Sequence, residues 1–477
     1  MTGRPDATPS TPFPAAEPYS PQLRTALVLT GTGTAGAYHA GVLRALHEAG
    51  VKLDVVAGRG VGVIGALFAA IDGAQRLWED RGFWRTPELR WLYRWRGAAR
   101  IIVWALALSV VIVAIPIVVM VAGLVVFPLD FLLRMVGIGG AAGLVGAYLS
   151  VAQDAFAPTA LPTWLPRLVF LVLAGAAAIA AVDGSLRPGR RGRGAVWWRL
   201  VPSPLSATGA VTRIWDVLWD LLRGAAQLKQ PGRGDLARRY GEVLADNQGQ
   251  PGFRELVIVA HDLDAHSDLV FALVGERRRR DLFRRPTAEA AELRRAEIID
   301  LSGVGRDYLV DAVAGALAVP IATDPHLIVF AADAYWRGET HRLCDRPSSL
   351  IRLLDELVGL GVQQILIVSA APESPRPHTL AAPRLDGRAR LGEYLQSSEA
   401  AAVRDATQMI ATRVPRVFTI RPSHNPIGPF EFGGGYDDRS ARRQPLEELM
   451  SRGYEDAYHQ FIEPVVGASG ERVGLGS

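Results

Sequence analysis

The sequence predicts an α/β protein with a mostly parallel central sheet, interrupted by an inserted transmembrane helical hairpin. Three observations lead to this class. Two short apolar runs each end in a glycine turn that opens a helix-like stretch, Ile101 to Phe127 carries no charge, and strand-like runs lie on both sides of that insertion.

The first run, Ala26 to Thr30, meets Gly31-Thr32-Gly33-Thr34-Ala35-Gly36, and a helix follows from Ala37 to Ala49 with Tyr38, Val42, Leu46 and Ala49 near one face. A second strand, Leu53 to Ala57, runs into Gly58-Arg59-Gly60-Val61-Gly62, which opens another helix. Turns of this kind at one sheet edge bring two sets of backbone N–H groups together, each at a helix N-terminus, and this makes an anion pocket. Its expected residues are Gly31, Thr32, Gly33, Thr34, Gly36, Arg59, Gly60 and Val61, with the N–H groups of Gly33, Thr34 and Val61 as donors.

This stretch resembles the patatin-like phospholipases, whose first turn is a glycine-rich oxyanion loop, G-G-G-x-R/K-G, and whose second is the nucleophile elbow G-x-S-x-G. The intervening GAYHAGVLRALHEAG is similar to the family's text as well. The resemblance implies a three-layer domain, an oxyanion loop and a Ser-Asp dyad that hydrolyses lipid acyl esters. The departures fall on the chemistry: Gly60 stands at the serine position, Ala35 at the basic position of the loop and Thr32 at its middle glycine. Aligning Tyr335, Gly338 and Pro347 with the family's Y-x-D-G block puts Arg337 at the aspartate position, with Asp333 four residues upstream. Glycine has no nucleophilic atom, and a guanidinium cannot act as a base. The expectation is therefore a retired hydrolase that binds lipid or an anionic ligand, or that regulates at the membrane.

Two other readings stand beside it. Gly31 to Gly36 also fits G-x-G-x-x-G between a strand and a helix, with Asp54 18 residues on, as in dinucleotide-binding units. An active hydrolase with substituted groups would draw on His39, Asp333, Ser302 or Ser369.

Further along, TPELRWLYRWRGAAR interleaves arginine with aromatic residues ahead of the 27 uncharged residues from Ile101 to Phe127, long enough to cross a bilayer. Leu165 to Val182 is the expected return span, with Met135 to Val151 re-entrant or interfacial, or itself the return. Strands before and after the insertion must share one sheet, so the number of crossings is even. Arg85, Arg90, Arg94, Arg96 and Arg100 before it, and Arg187, Arg190, Arg191, Arg193 and Arg199 after it, put both flanks in the cytoplasm. Trp91, Tyr93, Trp95, Trp197 and Trp198 suit an aromatic belt. The expectation is a multi-pass cell-membrane protein of two spans, with the main domain and both termini cytoplasmic.

Trp215, Leu218, Trp219 and Leu222 share a helical face that suits either a membrane surface or a core. A second helix is expected over Asp235 to Asn247, then a β-hairpin over ELVIVAHDLDAHSDLVFALVG. Arg277, Arg278, Arg279, Arg280, Arg284 and Arg285 follow as a basic cluster for anionic headgroups. Helices are expected over Arg306 to Val319, Ser349 to Leu360 and around Ser397 to Arg413, and strands over QQILIVS and Arg416 to Ile420. The expected organisation is a disordered leader at 1–22, the first part of the α/β domain at 23–84, the insert at 85–230, the second part at 231–465 and a tail at 466–477.

Composition narrows the partners. With 52 basic and 48 acidic residues the net charge is +4, carried by arginine in clusters, which favours membrane lipid and its anionic headgroups over nucleic acid. A single cysteine, Cys344, rules out an intramolecular disulfide, and no Cys/His pattern suggests a metal; no cofactor is expected.

Overall fold

β1 (Thr25–Thr30) and β2 (Val55–Arg59) are buried along their whole length, as unbroken apolar strands of a sheet covered on both faces must be. The computed structural model describes residues 18–137, 142–185, 203–283, 294, 296–373, 387–425, 427–432 and 445–467. α1 (Ala35–Glu48) follows the first glycine turn and α2 (Gly62–Ala70) the second. Next come α3 (Gly97–Met135), α4 (Ala142–Ala155) and α5 (Leu165–Ser185), then α6 (Thr208–Arg223) and α7 (Arg233–Asp246). The expected hairpin is β3 (Glu255–Asp262) and β4 (Ser267–Leu273), followed by α8 (Glu276–Phe283), β5 (Ile298–Asp300) and α9 (Leu309–Leu317). The chain continues through β6 (His326–Val329), β7 (Thr340–Cys344), α10 (Ser349–Gly359), β8 (Gln364–Ser369), α11 (Gly387–Ala411), β9 (Arg416–Ile420) and α12 (Pro445–Ala457).

The strands form one sheet in the order β9-β8-β1-β2-β3-β4-β5, and β7 pairs with both β3 and β6. The five strands β9-β8-β1-β2-β3 are parallel, with Val28 opposite Ala57 and Ala57 opposite Val257, whereas β4 runs antiparallel to β3. On one face Ala26, Val28, Val55, Ala57, Ile365 and Ile367 pack on leucines of α10 and on Val403, Ala406 and Ile410 of α11. On the other, Leu29 reaches α1 and α2: a Cβ on Gly65 would sit 2.5 Å from Leu29 Cδ1 and 3.3 Å from Leu43 Cδ1. This is a three-layer α/β fold with a mostly parallel central sheet. From β1 the chain builds outward through β2 and β3, whereas β8 and β9 extend the other way, so the strand order reverses between β1 and β8. A crevice forms outside the carboxyl ends of strands at such a reversal.

The chain divides into Met1–Arg94 with Ala207–Ser477, and Trp95–Ser206. The insert is therefore shorter than the expected 85–230. Leu89, Leu92 and Tyr93 are buried in the α/β unit, as are Ala210, Ile214, Trp215 and Leu218 of α6, so the amphipathic helix is a core element. Order also starts before Leu23, because Tyr19 is 1% exposed and its hydroxyl accepts the Lys52 N–H at 3.0 Å. α9 is shorter than the expected helix, since Val304–Tyr308 is a 3-10 turn, and α11 begins ten residues earlier than Ser397. Arg187, Arg190, Arg191, Arg193, Trp197, Trp198, Arg199, Arg284 and Arg285 lie outside the described residues.

Within the inserted unit, α3 packs along α5 and against α4. Phe127 and Tyr148 meet edge to face at 5.4 Å, and Gly123 leaves room for the Tyr148 hydroxyl, which would stand 2.4 Å from a Cβ there. Gly97–Met135 and Leu165–Gly184 are long and apolar enough to cross a membrane. α4, with 14 residues, spans about 21 Å at 1.5 Å per residue, short of a hydrocarbon core of about 30 Å. The unit's ends lie side by side: the Arg96 N–H donates to the Pro204 carbonyl at 3.0 Å and the Arg96 guanidinium to the Leu205 carbonyl at 3.1 Å.

Candidate functional site

At the end of β2 the chain makes the sharp strand-to-helix turn of an elbow, with Gly60 in the left-handed region at φ 56°. A Cβ on Gly60 would lie 2.2 Å from the Gly31 carbonyl oxygen and 2.9 Å from Asp345 Oδ2. Glycine is thus required here by the backbone angle and by the available space. The carboxylate facing the elbow is that of Asp345, just past the end of β7.

This corrects the expectation for Arg337. Arg337 sits at φ 44° in the turn joining β6 to β7, with its N–H on the Ala334 carbonyl at 3.0 Å, and Asp333 is in the same turn. The segment that reaches the elbow is Cys344-Asp345-Arg346-Pro347, because β7 runs from the hairpin turn towards β3 and ends with Cys344 opposite His261. A carboxylate therefore faces the elbow, and no hydroxyl stands at position 60.

Arg59, the residue before Gly60, turns inward and is fully buried. Its Nε donates to Thr30 Oγ1 at 2.9 Å, one terminal nitrogen to Asp345 Oδ1 at 2.5 Å, and the other to Glu399 Oε2 of α11. Thr30 Oγ1 in turn donates to Glu399 Oε1 at 2.6 Å. One guanidinium therefore serves two buried carboxylates, and together they carry a formal charge of −1. Burial pushes the Asp345 carboxyl up to about 6, with Arg59 opposing and Glu399 adding to the rise. Burial also works against the Arg59 charge, but Asp345 and Glu399 outweigh it and hold the guanidinium above its ordinary value.

Two of the three expected donors of the anion pocket are already engaged. The Thr34 N–H donates to the Pro429 carbonyl at 3.0 Å, and the Val61 N–H to the Gly31 carbonyl at 2.9 Å. Thr34 Oγ1 donates to the Gly428 carbonyl at 2.9 Å, and a Cβ on Gly33 would lie 1.7 Å from the Pro429 carbonyl oxygen. The chain's own carbonyls thus satisfy the Thr34 and Val61 N–H groups, and of the residues expected to form the pocket, Gly31, Thr32, Gly33, Thr34, Gly36, Arg59, Gly60 and Val61, the side chain of Arg59 is turned inward to buried carboxylates. Between the carboxyl ends of β1 and β8 lies a small cleft lined by Gly31, Thr32, Thr34, Gln396, Glu399 and Asn425.

The substituted nucleophiles and bases lie apart from the elbow or are occupied. His39 is fully buried with Nε2 3.1 Å from the Thr30 carbonyl, and burial lowers its pKa to about 4, so it is neutral at pH 7. Ser302 Oγ donates to Asp300 Oδ1 at 2.6 Å and accepts from Arg279, while Ser369 Oγ accepts the Ala371 N–H at 3.2 Å. Asp54 stands just before β2, at the opposite end of the strand from the glycine turns, and accepts the Thr25 N–H at 2.8 Å. It cannot reach a ribose held at Gly31 to Gly36, and the dinucleotide reading fails on that geometry.

The basic cluster is partly tied into the fold. Arg278 lies 3.7 Å from Glu255 and donates to the Leu360 carbonyl at 2.7 Å, Arg279 pairs with Asp300 at 3.2 Å, and Arg280 with Glu276 at 3.4 Å. Arg277 has no partner among the described residues. Glu399 and Thr30, central to the clamp around Arg59, have no sequence signal of their own; only the strand and helix that carry them were readable.

The family model described as patatin-like phospholipase matches residues 27–114. Patatin-like phospholipase domain-containing protein 6 of Mus musculus and of Homo sapiens are each 54% identical to this chain over 52 residues, which is 11% of this chain and 4% of either relative. The chain thus matches a small part of the length of these relatives. A loose likeness covers 93% of the chain and 67% of VipD from Legionella pneumophila, with a TM-score of 0.30 and 11% identity.

Proposed function

We propose that this member of the patatin-like phospholipase family is a membrane-anchored homologue without hydrolytic activity, in which the elbow has become a structural clamp. One observation carries the reading. The place of a nucleophilic oxygen is a glycine that has no room for a Cβ, and the neighbouring carboxylate is bound to Arg59. Ser-Asp chemistry needs a hydroxyl, a carboxylate free to take its proton and open oxyanion donors. Here the first is absent, the second is ion-paired, and of the third the Thr34 and Val61 N–H groups are satisfied by the chain. The occupied donors turn the reading away from a small anion in the glycine turns and towards a role at the lipid surface itself.

Anchoring is by two crossings, α3 and α5, supported by apolar surface on both helices: Trp104 and Phe170 are each 70% exposed. The adjacent ends of the insert at Arg96 and Pro204 suit an even number of crossings, with the α/β unit and both termini on the cytoplasmic side. The test is to treat the full-length protein in detergent with a fluorophosphonate probe and to assay phospholipid and short-chain ester turnover. No adduct and no turnover above background is the expected result; a covalent adduct would falsify the reading.

A further inference from the structure

The loop joining α9 to β6 holds a residue whose conformation the fold alone does not explain. Ile321 has φ 69°, a region that a β-branched residue enters only under strain. The Ala322 N–H donates to the Pro320 carbonyl at 2.8 Å and closes a tight γ-turn around it. The turn is braced from below, since the Thr323 N–H and hydroxyl both bond to the Val319 carbonyl, at 2.9 Å and 3.2 Å. The strained conformation aims the side chain at solvent: Ile321 is 78% exposed, the highest value among the large apolar residues described. A glycine would relieve the strain and expose nothing apolar, so the isoleucine answers to something outside the fold.

The turn's position indicates what that is. α9 lies where the α/β unit gives up and regains the chain: the Tyr93 hydroxyl donates to the Leu317 carbonyl at 3.1 Å, and α6, the first helix after the insert, packs on α9. Seven residues of chain separate Tyr93 from Ile101, the start of the uncharged run. The same loop borders the clamp, because the Ala318 carbonyl accepts the Asp345 N–H at 2.7 Å. A stable protein interface takes roughly 20–30 residues a side, whereas a single aliphatic side chain on a turn has the dimensions of a wedge between lipid headgroups.

We propose that Ile321 is a lipid-inserting anchor, presented by its γ-turn to the bilayer that the chain's own helices enter, so that the Asp345 edge of the α/β unit is seated on the membrane surface. The inference rests on the membrane reading given under Proposed function, and the experiment separates the two. Full-length Ile321→Cys protein is labelled with an environment-sensitive fluorophore in phosphatidylcholine/phosphatidylglycerol nanodiscs; the native thiol, Cys344, is buried. Val118→Cys in α3 and Tyr394→Cys on α11 are the references. Lipids with spin-labelled acyl chains should quench the labels at positions 321 and 118 at least two-fold and leave position 394 unchanged. Quenching at 118 but not at 321 overturns the anchor and leaves the membrane reading standing. No quenching at 118 overturns both. A label at 321 that is shielded from a water-soluble quencher, yet untouched by the lipid one, assigns the residue to a protein partner or a second copy and also overturns the anchor.

Discussion

Arg59 and Asp345 meet at 2.5 Å beside Gly60, 286 residues apart in the chain, so the last side chain of β2 neutralises the carboxylate that faces the elbow. Glu399 completes the clamp from α11, and three separate parts of the fold converge on one guanidinium.

Removing that guanidinium should be costly. Arg59→Leu leaves two carboxylates buried without a cation, and breaking buried pairs in this way costs about 3–5 kcal/mol. Urea unfolding of the detergent-solubilised protein measures it. A loss below about 1 kcal/mol would mean that the site is more open to water than its full burial indicates.

Asp345→Asn should do the opposite at neutral pH. The native carboxyl titrates near 6, above its ordinary value, so the folded state holds the proton more tightly than the unfolded chain does. Its contribution to stability is complete below the unfolded value near 4 and is lost as pH rises through 6. In the variant this slope between about pH 4 and 6 should flatten, and stability at pH 7.5 should equal or exceed the native value. Thermal unfolding across that range gives the answer, and an unchanged slope would assign the titration to another group.

Gly60→Ser should create no esterase. A Cβ would press within 2.2 Å of the Gly31 carbonyl oxygen at a positive φ, and the expected result is a loss of about 1–3 kcal/mol with turnover still at background. Adding Arg337→Asp should change nothing further, because Arg337 lies in the β6–β7 turn. Turnover restored by the serine alone would mean that the glycine loop gives way more easily than its packing suggests.

Ile321→Gly should stabilise the protein by up to about 1 kcal/mol, since relief of the left-handed strain exceeds the added freedom of the unfolded chain. A lower melting temperature would show that the exposed side chain contributes to the fold.

Reporter fusions after Gln22 and at Ser477 should report the same, cytoplasmic compartment. Opposite compartments would break the two-crossing arrangement, since β2 and β3 are neighbours in one sheet.

The strands were legible because a buried parallel strand must be apolar throughout, and the glycine turns because tight turns after such strands need glycine. Three features hide the rest. Tyr335 and Gly338 imitate the family's spacing within a hairpin turn, whereas the carboxylate that faces the elbow, Asp345, follows β7, whose pairing with β3 is a long-range fact. The filling of the Thr34 donor depends on Pro429, almost 400 residues away, and local sequence carries no trace of that contact. The insert's limits are hidden because apolar residues such as Leu92 and Ile214 suit a membrane flank as well as a core.

The neighbouring strands β2 and β3 have 195 residues between them, and β1 waits for β8 until more than 330 further residues are made. At roughly 5–20 residues per second, the ribosome leaves β2 without its outer neighbour for about 10–40 s, during which two helices suited to the bilayer emerge. The first two strands are then a ribbon with two bare hydrogen-bonding edges, the kind of surface that pairs with other chains. Biogenesis thus depends on timing: the nascent halves have to come back together before an exposed edge finds another partner.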